Sequence, residues 1–337
     1  MGPHQTKIPE VSIVIPVFNG EEFLSRCLES IRNLNFSKEH NYEVLILDNG
    51  STDATHSILR QFGLEFQIAP GITISALRNR GAAMARGDFL AFVDADVELS
   101  PSWLEEGLRC FANPKIVASG FPPRAPKRAS WVQQTWDLHR HRNHRGLRPF
   151  PVDWLPSMNL LVRRNDFVAV CGFNEGLETS EDVDLCYRLK HRGKILCNPA
   201  LGAVHLGEAR TLRIFWRKQV WHGKGNFKGV LSHGLCWDEV PSLGYPLYVL
   251  LCLSLLLGVN FITDVWRPRI LLIPLLCTLL VFPGAVLAVR TAYLTKCVGR
   301  LHKFFLLYTV YGFARAWSAM SSVSAIFMLI KGDSLRK

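Results

Sequence analysis

Residues 1–7, Met-Gly-Pro-His-Gln-Thr-Lys, contain no apolar run, so no cleaved secretion signal is expected there. The nine cysteines are an odd number, and no two are spaced C-x-x-C. That argues against a disulfide framework and against a zinc ribbon, and fits a reducing compartment. Cys171, Cys186 and Cys197 are spaced too irregularly to read as metal ligands. Acid is scarce towards the C-terminus: residues 243–337 hold 2 Asp or Glu against 10 Lys or Arg, while residues 1–242 hold 26 against 29. The formal charge of +11 therefore sits mainly in the most apolar part of the chain. That pairing favours a membrane partner over nucleic acid. With 48% hydrophobic and 20% charged residues, the 337-residue chain is neither disordered nor fibrous. Its length suits two or three domains.

From residue 11 to about 205, short apolar runs alternate with helical patterns. Val11–Val17 (VSIVIPV) and Tyr42–Asp48 (YEVLILD) read as buried strands, 64–68 as a short strand, and 88–93 (DFLAFV) as another. Helices are expected over 21–32, after the possible caps Ser51 and Asp53, over 75–86, and from Glu181 to about His191. Strands alternating with helices imply an α/β fold with a mostly parallel sheet, whose ligands lie beyond the C-terminal strand ends. Asp48 and Asp94 fall at such ends.

Residues 243–262 and 270–289 are two uncharged 20-residue runs, each the length that crosses a bilayer core. A third run, 304–330, is interrupted by Arg315. It is expected to be a third span with an inward-facing Arg; the alternative is an interfacial segment over 304–317. Arg290, Lys296, Arg300 and Lys303 precede it, which places that loop in the cytosol by the positive-inside rule.

Three acidic groups and one histidine carry the candidate chemistry. Asp94-Ala95-Asp96, read as an extended segment, points two carboxylates the same way and suits Mg²⁺ or Mn²⁺; helix capping is the plain alternative. Asp48 opens the run DNGSTD at a strand end. Glu181-Asp182 opens a helix, where acids either serve as a general base or simply complement the helix dipole. His205 taken alone reads as a core or strand histidine sooner than as a metal ligand.

These segments, in order, resemble family 2 glycosyltransferases of the GT-A fold: VSIVIPVFNGEEFLSRCLESI, LDNGSTDAT, ALRNRGAAMARGDFLAFVDADV and NLLVRRNDFVAVCGFNEGLETSEDVDLCYRLKHRGKIL. The resemblance covers about residues 10–210. It implies a Rossmann-like nucleotide-binding domain over 1–235; the tail lies outside the resemblance, and its apolar runs predict a membrane region over 236–337 with two to three transmembrane helices. The resemblance further implies that Pro16, Asn19, Glu21 and Asp48 hold the nucleotide, and that Arg78 faces the donor phosphates. Asp94 and Asp96 match the metal pair, with Asp96 the direct ligand of Mn²⁺ or Mg²⁺ and His205 a further ligand. Asp182 matches the general base, with Glu181 beside it. The implied reaction is inverting transfer from a nucleotide-sugar donor. Two features depart from the family pattern: Cys171 stands in a common glycine position, and the Gln-x-x-Arg-Trp motif of processive members is missing near Gln219. A non-processive enzyme is therefore expected.

Residues 124–148 hold seven Lys or Arg and three His with Asp137 as their one acid. They read either as a solvated loop and helix or as a contact for anionic lipid. His222-Gly223-Lys224-Gly225, just before the membrane region, is a candidate to close over the site. The expected acceptor is a membrane lipid or a lipid-linked glycan, the location a multi-pass inner-membrane protein with a cytoplasmic catalytic domain, and nucleic acid is not expected as a partner. The alternatives are a non-catalytic membrane scaffold on a transferase fold, or a sugar nucleotidyltransferase.

Overall fold

A computed structural model describes residues 9–35, 41–143, 146, 148–225, 240–262 and 266–334. The chain packs as two compact units, one of residues 1–127 with 145–208, the other of 128–144 with 209–337. The boundary expected at 235 lies outside the described residues.

In chain order the first unit runs β1 (Val11–Val17), α1 (Leu24–Arg32), β2 (Tyr42–Asp48), α2 (Thr55–Gln61), β3 (Phe66–Ile68), α3 (Ile74–Met84), β4 (Phe89–Val93), β5 (Val97–Leu99), α4 (Trp103–Cys110) and β6 (Ile116–Gly120). After α5 (Trp131–Arg140), which belongs to the second unit, it resumes with β7 (Phe150–Val152), β8 (Asn159–Arg163), α6 (Arg164–Ala169), α7 (Glu181–Lys190), β9 (Lys194–Cys197) and β10 (Ala203–His205). The main sheet has the order β3-β2-β1-β4-β8-β6-β9-β7. β3, β2, β1 and β4 are parallel, while β8 runs antiparallel to β4 and β6. The sheet is thus mixed, its parallel half being the one expected from the sequence. β10 pairs separately with β5.

Every residue of β1 is buried, as a strand flanked on both sides and covered on both faces requires. In α1 the buried Leu24, Cys27, Leu28 and Ile31 recur at helical spacing and lay one stripe on the core. This helix begins at Leu24, not at residue 21, because Asn19, Gly20 and Glu21 are drawn into contacts with the loop after β2. α3 approaches the sheet closely at Gly81, where a Cβ would stand 2.4 Å from Val14 Cγ1 and 2.8 Å from Leu47 Cδ2.

The second unit adds α8 (Leu212–Gly223), α9 (Val240–Ile262), α10 (Trp266–Leu294) and α11 (Leu301–Ser334). Within it α9 and α10 are long and apolar enough to cross a membrane, over Ser242–Val259 and Leu272–Leu294. Among the described residues α11 does not meet that standard. Pro283, inside α10, has no N–H to give to the Leu279 carbonyl one turn back; the Tyr248 hydroxyl from α9 donates to that oxygen at 2.9 Å. Tyr245 packs on two glycines: a Cβ at Gly312 would stand 2.5 Å from its Cζ and one at Gly284 2.8 Å from its hydroxyl. Small residues at such crossings let apolar helices approach. α5, within the basic stretch, is capped by Ser130 and Gln133 and contributes Val132 to a core with Phe215 and Leu307. It is a packed helix, with Trp136 stacked on His139 at 4.3 Å. His222 and Gly223 end α8, where Gly223 lies against Ser318 and Arg315 of α11.

Gly81→Val should destabilise the first unit by about 1–3 kcal/mol, the usual cost of overpacking a dense core. Chemical denaturation against wild type checks this, and an unchanged midpoint would contradict the close approach of α3.

Candidate active site

The first half of the site is built on paired strand ends. β1 and β2 are in register as Pro16↔Leu47 and Val17↔Asp48, so their following loops emerge side by side. Asn19 holds a left-handed backbone, φ +50°, and its amide donates to Ser51 Oγ at 2.8 Å. Its side-chain oxygen accepts from the Thr52 amide at 2.9 Å. The Glu21 amide donates to Asp53, and its carboxylate accepts from the Ala54 amide at 3.1 Å. Asp48 is fully buried and accepts from the amides of Gly50 and Ser51, from the Ser51 hydroxyl, and from His56 Nε2 at 2.9 Å. Burial alone raises a carboxyl pKa; the Ser51 and His56 contacts outweigh it and hold Asp48 below its ordinary value. The four residues Pro16, Asn19, Glu21 and Asp48 are therefore brought together, with Pro16 inside the strand and Asn19 and Glu21 on the surface. Ser51 turns back to Asp48 and does not cap α2.

The second half centres on Arg78. Its side chain is almost fully buried on α3, with Nη2 2.7 Å from Asp94 Oδ1 and Nη1 2.8 Å from Glu181 Oε1. The guanidinium lies 5.4 Å from the Phe173 ring centre. Burial disfavours its charge, but the two carboxylates overcome that and raise its pKa. Both terminal nitrogens are thus engaged by acids, one at the end of β4 and one at the start of α7.

Asp94 and Asp96 sit on a tight turn, closed by the Val97 amide donating to the Asp94 carbonyl at 3.0 Å. The extended geometry expected from sequence is replaced by this turn, and the two carboxylates take different partners. Asp94 goes to Arg78, whereas Asp96 Oδ2 lies 3.1 Å from His205 Nε2. β10 carries His205 opposite Val97 of β5, which explains the approach.

The acids opening α7 also divide. Glu181 takes Arg78. Asp184 takes Arg188, whose Nη1 donates to the carbonyls of Val170 and Gly172 and so braces the loop before the helix. Among the described residues no salt bridge reaches Asp182; its Oδ1 accepts from the Val183 amide at 2.9 Å. Burial, then the neighbouring Glu181 charge, push its carboxyl up to about 7. The helix starts from a left-handed Ser180, φ +66°. Asn79 straps the preceding loop to α3 through the Phe173 backbone and Glu175.

Asn79, Arg188 and Glu208 were not singled out by sequence. Glu208 had a signal, the His-x-x-Glu spacing from His205, which here gives a contact of 3.2 Å between Glu208 Oε2 and His205 Nδ1. Among the described residues no three His, Cys, Asp or Glu side chains are gathered to hold an ion unaided. The Asp96–His205 pair nonetheless offers one hard oxygen and one imidazole nitrogen at a half-open position, a set that fits a divalent ion sharing its remaining positions with substrate phosphates.

Residues 12–172 match the family model described as "Glycosyl transferase family 2". Over 227 residues the chain is 28% identical to validoxylamine A glucosyltransferase of Streptomyces hygroscopicus subsp. limoneus, covering 55% of this chain and 49% of that one. It is 29% identical over 229 residues to the pre-mycofactocin glycosyltransferase of Mycobacterium tuberculosis, covering 64% and 46%. The chain spans about half the length of these curated relatives. Among solved structures, the mannosyltransferase PcManGT from Pyrobaculum calidifontis, in complex with GDP-Man and Mn²⁺, superposes with a TM-score of 0.62 at 14% identity, covering 96% of this chain and 89% of that one. The likeness establishes a shared GT-A fold.

Arg78→Met should cost about 3–5 kcal/mol of stability, the range for removing one partner of a buried ion pair, because two carboxylates lose their counter-charge. It should also raise the Asp182 pKa further, since Arg78 normally lowers it. Urea unfolding checks the first, and a stability within 1 kcal/mol of wild type would contradict it.

Proposed function

We propose that the protein transfers a sugar, with inversion, from a nucleotide-sugar donor to an acceptor held at a membrane, a reading supported by the match of residues 12–172 to the glycosyl transferase family 2 model. The observation that carries this reading is the bridge Asp94–Arg78–Glu181, which brings the strand-end acids to the helix start that bears Asp182. The laced loops around Asn19 and Asp48 form the seat for the nucleotide, in keeping with the crevice rule for open α/β sheets. A divalent ion, Mn²⁺ or Mg²⁺, would be held by Asp96 and His205, and when bound it neutralises diphosphate oxygens and so improves the leaving group. Asp94 orders Arg78 and the turn that carries Asp96. Asp182 accepts the proton of the acceptor hydroxyl as that oxygen attacks the anomeric carbon from the face opposite the nucleotide. One displacement inverts the configuration, and no sugar becomes attached to the protein. Its raised pKa makes Asp182 a stronger base than an ordinary aspartate while leaving it largely ionised above neutrality.

A membrane-borne acceptor is supported by the two apolar helices α9 and α10 and by the surplus of basic residues around them. Arg290, Lys296, Arg300 and Lys303 favour the cytosolic face for that end of α10 and α11. The mannosyltransferase PcManGT, solved with GDP-Man and Mn²⁺, supports the donor and metal classes.

The test uses the full-length protein in lipid nanodiscs. Nucleoside diphosphate release is measured over a panel of nucleotide sugars, with and without Mn²⁺, using soluble and lipid-linked acceptors. Release that needs both the ion and a lipid-linked acceptor is expected, and no release from any donor would leave the scaffold reading standing. Asp182→Asn should lower kcat by about 10²–10⁴-fold while donor affinity stays near wild type. The base form is lost as pH falls through the raised pKa, so wild-type kcat/KM should decline on the acid side with a midpoint near 7. A flat profile from pH 5 to 8 would contradict the assignment of Asp182 as base.

A further inference from the structure

The pairing of β10 with β5 delivers more than His205 to the turn at Asp96. The Leu206 amide donates to the Asp96 carbonyl at 2.8 Å, so the chain after β10 is fastened to the turn itself. At Gly207 a Cβ would stand 2.0 Å from Asp96 Oδ2. Only glycine lets the chain turn this close to the carboxylate. That turn swings Glu208 back beneath the imidazole, at 3.2 Å from Nδ1, while Nε2 faces Asp96 Oδ2 at 3.1 Å. The side chains of His205 and Glu208 are 9% and 8% exposed, against 30% for Asp96. The imidazole is therefore gripped from behind by a buried carboxylate and presents its other nitrogen at the more open side.

A carboxylate accepts and does not donate, so the contact with Glu208 is a hydrogen bond when Nδ1 carries the proton, and a cation standing in place of a proton between Nε2 and the Asp96 carboxylate selects that tautomer. In the neutral ring the Nε2 lone pair then points into the same space as the Asp96 oxygen. Two electron-rich atoms facing each other at this distance repel, and a cation beside both removes the repulsion.

We propose that Glu208 is a positioning residue that, by accepting the Nδ1 proton of His205, sets the ring so that His205 Nε2 and Asp96 Oδ2 form one divalent-cation seat. This rests on the metal-dependent reading above.

The experiment titrates Mn²⁺ into the full-length protein without donor and reads free aqueous Mn²⁺ by its electron paramagnetic resonance amplitude. Glu208→Gln is compared in the wild-type and His205→Ala backgrounds, with thermal unfolding in the absence of metal as the control for folding. Glu208→Gln should weaken Mn²⁺ binding about 10-fold or more in the wild-type background, within the 10–100-fold usual for such partners, and add nothing in the His205→Ala background. Wild-type affinity in Glu208→Gln, or an equal loss in both backgrounds, would overturn the proposal while leaving the metal reading intact. A wild-type protein that binds no Mn²⁺, with or without nucleoside diphosphate, would overturn both.

Discussion

A single guanidinium buried between two carboxylates organises the first unit. Arg78 could not be placed in the interior alone, because an uncompensated charge there costs several kcal/mol. Asp94 and Glu181 make its burial tolerable, and in return their own positions become fixed to α3. One acid ends β4 and the other begins α7, so the strand-end turn and the helix start cannot move independently. Such a triad adds little net stability compared with apolar packing; its value lies in registration. Phe173 beneath the guanidinium and Asn79, the next residue along α3, extend the same registration to the segment that precedes Asp182.

The three acids at the start of α7 show how one short run of identical charges is given three tasks. Glu181 and Asp184 are neutralised by arginines, whereas Asp182 lies beside the first of these charges and has no salt bridge among the described residues. Its perturbed carboxyl follows from that inequality, through burial first and the Glu181 charge second. Two neighbouring carboxyls with different environments can separate the structural and the proton-transfer role.

The parallel half of the sheet was legible in the sequence because β1 and the ends of β2 and β4 are buried on both faces and read as apolar runs. The antiparallel strand β8, inserted between β4 and β6, was not, since its pairing joins Phe92 to Leu160 across a long stretch of chain. The acids at the strand ends and at the start of α7 stood out in the sequence, but the partner each one takes did not. The sequence motif Asp-x-Asp suggested two carboxylates aimed together, and the turn aims them at Arg78 and His205 instead. The two terminal nitrogens of Arg78 are engaged by side chains 16 and 103 residues away, a choice that only the tertiary fold makes. In α5 the density of basic residues concealed a packed helix, which buries Val132, Gln133 and Thr135 with Trp131 and Trp136 partly buried beside them. The apolar helices were legible from length and charge alone, although the remedy for Pro283, a tyrosine hydroxyl from the neighbouring helix, was not.

The central claim is that Asp94 and Glu181 are coupled through Arg78, and a double-mutant cycle measures that coupling directly. Unfolding free energies of Asp94→Asn, Glu181→Gln and the pair would be compared in the presence of Arg78 and in an Arg78→Met background. With Arg78 present, the pair should cost more than the sum of the single changes, by about 0.5–3 kcal/mol, because the second change strands the buried cation. In the Arg78→Met background that excess should vanish. Additivity within about 0.5 kcal/mol in both backgrounds would contradict the account.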